Sequence, residues 1–261
     1  MSIQSVHRAI KVLCLYSVDK PYLGITEMSR ALGLHKATVQ NLVRTMVEDG
    51  FLRQDPETRK YQLGLKIYEL GFILGETLEI NQKASDLAHQ LATKTRHLVR
   101  IAILDADAAL ITLHAYPRTR PFIFRHFGPR IPLYCTALGK ALLAFLGKDE
   151  IDAYVERVTF VPYTPNTITQ KDLLLKELEE TKQRGFSINR EEHLMASASI
   201  GAPIFGKEGR LTASIGLSGD PRTILENETS ARELVVTASW ISRLMGYSPE
   251  AAAFQGGNRG K

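Results

Sequence analysis

The chain has 261 residues, 44% hydrophobic and 8% aromatic, with 33 Lys and Arg against 28 Asp and Glu for a formal charge of +5. That composition excludes a disordered or low-complexity protein, and the length suffices for two domains. Cys14 and Cys135 are the only cysteines, too few for a disulfide framework or a metal knuckle. No apolar run approaches the roughly 18 residues of a membrane span, and no signal-type series opens the chain, so a cytoplasmic protein with no membrane partner is expected.

In chain order, Val6, Ala9, Ile10 and Leu13 predict a first helix packed beneath the segment that follows. Ile25 to Leu52 then gives two short helices and a tight turn. Thr26 is the expected N-cap with Glu27 in the first turn, and Gly33 supplies a left-handed end. The second helix carries Val39, Leu42, Val43, Met46 and Val47 at i, i+3, i+4, i+7 and i+8, and stops at Gly50. Its other face holds polar and cationic groups. This is helix-turn-helix spacing, in which His35, Lys36, Thr38, Gln40, Asn41 and Arg44 face bases or phosphates of double-stranded DNA. Arg44 suits guanine, while Gln40 or Asn41 suits adenine. Phe51 to Gln54 and Lys60 to Leu63 flank the turn formers Asp55 and Pro56 as a hairpin wing. Arg53, Arg59 and Lys60 on that wing suit flanking phosphates. Residues 1–63 therefore read as a winged helix-turn-helix, and their net charge of +3 supplies most of the chain's excess.

Residues 64–80 form an expected connecting helix, with Leu65, Ile67, Tyr68, Leu70, Phe72, Ile73 and Leu74 too apolar for a free linker. Such a helix needs a partner surface, either within the chain or on a second copy. Residues 81–250 predict an α+β domain with helices on a mixed sheet. Its expected helices are Asn81 to Thr95, Thr136 to Leu146, Asp172 to Arg184 and one long helix from Arg222 to Met245. Its expected strands are Val99 to Leu104, Leu110 to Ala115, Phe122 to Arg125, and a hairpin of Ser199 to Phe205 with Leu211 to Ser218. Residues 251–261 read as a disordered tail.

The order of winged helix-turn-helix, connecting helix, RIPLYCTALGKALLAFL (Arg130 to Leu146), TPNTIT (Thr164 to Thr169), RGFSINREEH (Arg184 to His193) and GAPIFGKEGRLTASIGLSG (Gly201 to Gly219) resembles the IclR family of bacterial transcriptional regulators. The resemblance implies a C-terminal effector-binding domain of GAF-like fold, dimers joined through the DNA-binding domains, frequent tetramers and palindromic operators. It also implies an effector pocket at Ala137, Leu138, Asn189, Ser199, Gly216 and Ser218. Small-acid-binding members resemble aspartate, cysteine and serine at the Asn189, Ser199 and Gly216 positions, so glyoxylate- or pyruvate-like effectors are not expected. Glycine at 216 is expected to leave room for a larger molecule. Many relatives resemble arginine at the Asn41 position, which makes this recognition surface less cationic.

Within HLVRIAIL, Val99, Ile101 and Ile103 share one strand face and Arg100, Ala102 and Leu104 the other, so Arg100 interrupts an apolar face. A buried guanidinium needs an anionic or carbonyl partner. Either it forks an effector carboxylate, with Ser199, Ser218 or His193 completing the site and Tyr134 or Phe124 against an apolar body, or it pairs with Glu191 or Glu192, or it reaches solvent. An enzyme is the rival class. Gly139-Lys140 lacks the glycine and hydroxyl of a phosphate loop, and Glu191, Glu192 and His193 are read as surface or capping residues. A ligand-free architectural DNA-binding protein is the third class, against which stands a second domain about three times the size of the DNA module. The expected function is ligand-controlled DNA binding without a cofactor, directed to catabolism of a small organic acid.

Overall fold

The computed structural model describes residues 3–117 and 128–248, so the expected strand from Phe122 to Arg125, with Phe124, and the tail at 251–261 lie outside the described residues. The chain divides into two units, Met1–Glu76 and Thr77–Lys261.

The first unit contains α1 (Gln4–Leu13), α2 (Ile25–Leu32), α3 (Lys36–Glu48), β1 (Leu52–Gln54), β2 (Tyr61–Leu63) and α4, which runs Leu65–Thr77. Val12, Met28, Val39, Val43, Met46 and Leu52 form its core. Ala9 and Leu13 pack on that core as expected, whereas Val6 and Ile10 are exposed and Val12 is the residue α1 buries fully. The cap of α2 is also displaced. Gly24 is the N-cap and Thr26 lies inside the helix, since the Glu27 carboxylate accepts from Gly24 N at 2.5 Å and fixes the cap at Gly24 instead of Thr26. Gly33 at φ +64° closes α2 as expected, with Ser29 Oγ donating to Leu34 O across the turn.

The wing pairs Leu52 with Leu63 and Gln54 with Tyr61, and Tyr61 bridges on its other side to Leu23. Where the wing returns, Gly64 lies so close to the Gly50 carbonyl that no side chain fits, and Gly50 O accepts from Lys66 N at 3.3 Å. The first turn of α4 is thereby fixed to the end of α3. Beyond that turn α4 has no buried residue, and Leu65, Tyr68, Leu70, Phe72, Ile73 and Leu74 are exposed.

Among the described residues, the second unit contains a six-stranded sheet in the order β5-β4-β3-β8-β7-β6, comprising β3 (Leu98–Asp105), β4 (Ala108–Ala115), β5 (Arg130–Pro132), β6 (Ser187–Arg190), β7 (Ala198–Phe205) and β8 (Leu211–Gly219). All described pairings are antiparallel, so the expected mixed sheet is corrected. On one face α5 (Glu79–Thr95) and α10 (Glu228–Leu244) cover Val99, Ile101, Ile200, Ile204, Ile215 and Leu217. On the other face lie α6 (Ala137–Leu143), α7 (Lys148–Arg157) and α8 (Lys171–Arg184), whose core includes Leu133, Leu142, Tyr154 and Leu174. The long helix expected from Arg222 is two. Asp220 caps α9 (Pro221–Leu225), and Asn227 then caps α10 by accepting from Ser230 N, so a fresh N-terminus begins inside the apolar pattern. The Gly147 start, the Glu150 capping box and the Ile151, Tyr154, Val155 spacing of α7 are a helix signal the sequence reading passed over.

α6 sits against the sheet almost backbone to backbone. A Cβ at Gly201 would lie 2.6 Å from Ala137 O, and one at Gly139 would lie 2.6 Å from Leu133 O. Ser187 Oγ donates to Ala137 O at 2.6 Å and Ser214 Oγ to Leu138 O at 3.0 Å, which satisfies carbonyls of the first turn. Gly201→Ala is expected to destabilise the protein by about 1–3 kcal/mol, the usual cost of overpacking a close contact. Thermal melts check this, and a midpoint equal to wild type would contradict the backbone contact.

Candidate functional site

On α3 the core stripe of Val39, Val43 and Met46 leaves the opposite side to solvent. His35, Lys36, Gln40, Asn41 and Arg44 are exposed there, with Thr38 half-buried at the edge. Thr26 is exposed on α2. Arg53 and Arg59 are exposed on the wing, where Asp55 Oδ1 accepts from Thr58 N at 2.7 Å and Gln54 Nε2 donates to Arg59 O at 3.0 Å, holding Arg59 at φ +58°. Lys60 is turned back to Glu27 at 3.4 Å, tying the wing to α2. The Gly24 amide, and after it Lys60, holds the Glu27 carboxyl below its ordinary range.

The second unit contains a cavity of about 50 Å³ over the β3-β8-β7 face. Arg100, Ala137, Leu138, Asn189, His193, Ser199, Gly216 and Ser218, eight of the ten positions expected for an effector, line it. Strand register explains the grouping, since Arg100 pairs with Gly216, Gly216 with Gly201, and Ser218 with Ser199. Thr136, Leu194 and Ser197 also line the cavity and were not foreseen. Thr136 was legible as the cap of α6, where its hydroxyl accepts from Gly139 N at 3.1 Å.

The structure bears directly on the ion pairs weighed for Arg100. Its Nη1 donates to Ser218 Oγ at 3.5 Å, its Nε is buried with no hydrogen-bond partner, and no carboxylate among the described residues pairs with it. Both acids proposed as its partners are engaged elsewhere. Glu191 Oε1 accepts from Ala196 N at 2.5 Å, and Glu192 takes the Lys140 ammonium at 2.8 Å. Burial lowers the guanidinium's pKa from its ordinary value. Burial first, and then Arg100, also pushes the His193 imidazole below its ordinary value.

Two expectations fail here. Tyr134 does not reach the cavity, because its hydroxyl donates to Val161 O at 2.9 Å and accepts from Val161 N at 2.8 Å, its ring meets Phe160 edge-on, and burial pushes its phenol up to about 12. Gly216 does not open space for a larger molecule. A Cβ there would come within 2.9 Å of Ile200 O and 3.1 Å of Leu138 Cδ2, so the glycine admits α6 instead.

Asn189 is fixed by the backbone. Its Nδ2 donates to Cys135 O at 2.9 Å and its Oδ1 accepts from Glu192 N at 3.0 Å. Thr164 and Thr167 of the TPNTIT loop donate to Glu191 O at 2.7 Å and Glu192 O at 2.6 Å, holding the loop that carries His193. No group of three or more His, Cys, Asp or Glu among the described residues can hold a metal, and no helix among them is long and apolar enough to cross a membrane.

Residues 74–243 match the family described as bacterial transcriptional regulator IclR C-terminal, and residues 5–56 match the IclR helix-turn-helix domain. The chain is 30% identical over 247 residues to the HTH-type transcriptional regulator XynR of Escherichia coli (strain K12), covering 94% of this chain and 98% of that protein. Among solved structures, a transcriptional regulator of Rhodococcus sp. RHA1 aligns over 94% of this chain and 99% of its own, with a TM-score of 0.83 at 26% identity. An IclR homolog from Microbacterium hydrocarbonoxydans, complexed with 4-hydroxybenzoate, covers 94% of this chain and 100% of its own with a TM-score of 0.81 at 20% identity, a likeness of fold.

Beside the cavity, sequence reasoning treated Lys140 as a failed phosphate loop and Glu192 as a surface or capping residue. Both are buried, and Lys140 bonds Glu192 at 2.8 Å and Glu177 at 3.1 Å, with Arg184 3.6 Å from Glu177. A lysine inside TALGKALLAFL was the available signal, because a charge in an apolar helix requires buried partners. Lys140→Met strands two acids, so it should cost about 3–5 kcal/mol. Adding Glu192→Gln should recover part of that loss in denaturant melts, and a single variant as stable as wild type would refute the pairing.

Proposed function

Because this chain belongs to the IclR family of bacterial transcriptional regulators, we propose that it binds an operator as a homo-oligomer and that a small carboxylate held by Arg100 sets its DNA affinity. The family gives the coarse function, a DNA-binding regulator with an effector domain rather than an enzyme. The finer reading rests on one observation, a half-buried arginine that lines a cavity with its Nε buried and unbonded and that pairs with no acid among the described residues. Transfer of a guanidinium from water is costly unless an anion compensates, and a carboxylate matches its planar donors. The 4-hydroxybenzoate bound by the Microbacterium homolog is also a carboxylate. The cavity here, about 50 Å³, is well below the roughly 150 Å³ that accepts benzene, which favours a small aliphatic acid over an aromatic one, contrary to the larger effector expected from Asn189, Ser199 and Gly216.

Arg44, Gln40 and Asn41 read bases, while Arg53 and Arg59 hold phosphates. The exposed apolar side chains of α4 form the contact to a second copy, which two-fold symmetry repeats to match two half-sites. The bond from Lys66 N to Gly50 O makes the start of α4 and the end of α3 move together. A ligand-dependent change at α4 therefore alters the spacing of two recognition helices in the cytoplasmic regulator.

Gel shifts on the DNA upstream of the gene, with a panel of small carboxylates ranked by thermal shift, test this reading. Arg44→Ala should cost about 1–3 kcal/mol and relax base preference at one position of each half-site. Arg100→Ala should leave DNA binding intact and abolish the response to the active acid. A full ligand response in Arg100→Ala would remove the proposed carboxylate site.

A further inference from the structure

We propose that His193 is the second cationic group of the cavity, taken up as imidazolium when an anion binds, so that the effector is a small dianion and its binding is linked to a proton. This rests on reading the cavity as the effector site. Arg100 from β3 and His193 from the β6–β7 loop line one cavity whose other polar groups are the hydroxyls of Thr136, Ser197, Ser199 and Ser218 and the Asn189 amide, with no carboxylate among the described lining residues. The loop is held firmly. Glu191 and Ala196 stand at φ +59° and +58° on either side of His193 and are clipped together by the Glu191 carboxylate on Ala196 N. Glu191 is held on that clip and Glu192 on Lys140, and neither acid of the loop lines the cavity.

Among the described residues, Arg100 and Tyr163 are titratable groups facing His193 from other elements, the Tyr163 ring meeting the imidazole edge-on at 4.9 Å. Tyr116, just past the end of β4, acts on Arg100. Without an anion, burial and the Arg100 charge both oppose protonation of His193. One carboxylate compensates Arg100 and leaves the imidazole neutral. A second negative charge reverses the balance and favours the imidazolium. Between the low midpoint of the free protein and the raised midpoint of the complex, dianion binding takes up close to one proton. Affinity in that window falls by up to about tenfold per pH unit as pH rises, and it is flat above the raised midpoint.

The test uses the full chain with labelled histidines, the His193 signal being assigned from its loss in His193→Gln. Oxalate and acetate are the probes, having equal carbon number, and oxalate keeps both charges across the range. Oxalate should raise the His193 midpoint by about one pH unit or more, acetate by much less, and oxalate's binding heat should depend on the ionisation heat of the buffer. His193→Gln should keep acetate binding and lose the pH dependence of oxalate binding, and Arg100→Ala should lose both anions. Oxalate that binds no tighter than acetate, or that leaves the His193 midpoint unmoved, overturns the proposal. If acetate then still binds through Arg100 and shifts DNA affinity, the effector reading survives without the proton. If neither anion depends on Arg100, both readings fall.

Discussion

The close seating of α6 on the sheet is the constraint from which the cavity follows. Gly201 and Gly216 carry no side chain where Ala137 O, Leu138 and Ile200 O crowd them, and the Ser187 and Ser214 hydroxyls take the first-turn carbonyls of α6. Packing this tight fixes Ala137 and Leu138 beside the β3-β8-β7 strands. Strand register then brings Arg100, Ser218 and Ser199 to the same cavity. Removing a side chain at 216 makes room for a helix, not for a ligand.

A second rigid element stands behind the first. Lys140 projects from α6 into a buried cluster with Glu192 and Glu177. Glu192 N in turn fixes Asn189 Oδ1, and the TPNTIT threonines hold the Glu191 and Glu192 carbonyls. The cavity wall that carries His193 is therefore tied to α6 through charge and hydrogen bonds instead of apolar packing. Breaking a buried pair of this kind is costly because the orphaned charge remains, so the loop geometry and the ion cluster stand or fall together.

The helix-turn-helix was legible because its signals are local. The stripe of α3, the left-handed Gly33 and the Asp55 turn each act within a few residues. Thr26 misled because a hydroxyl near a helix start competes with any nearby carboxylate, and Glu27 reaches Gly24 first. Arg100 was legible as a charge on an apolar strand face, and its escape from Glu191 and Glu192 was not, because both acids find partners distant in sequence or fixed by loop backbone. The family resemblance supplied Ala137, Leu138, Asn189, Ser199, Gly216 and Ser218, which no periodicity picks out. Tyr134 failed for lack of a long-range cue, its partner being the Val161 backbone. The break at Asn227 was readable from the cap residue but lay hidden under an unbroken apolar period.

If the cavity ligand controls DNA affinity, coupling must be reciprocal, because a ligand that alters operator affinity by some factor is itself altered by operator by the same factor. The most direct measurement is the dissociation constant of the active small carboxylate for the full protein, alone and saturated with operator DNA, beside the operator's constant with and without that carboxylate. Equal ratios well away from one, lost together in Arg100→Ala, are the predicted result. A carboxylate that binds through Arg100 with the same affinity whether or not operator is present would contradict the account.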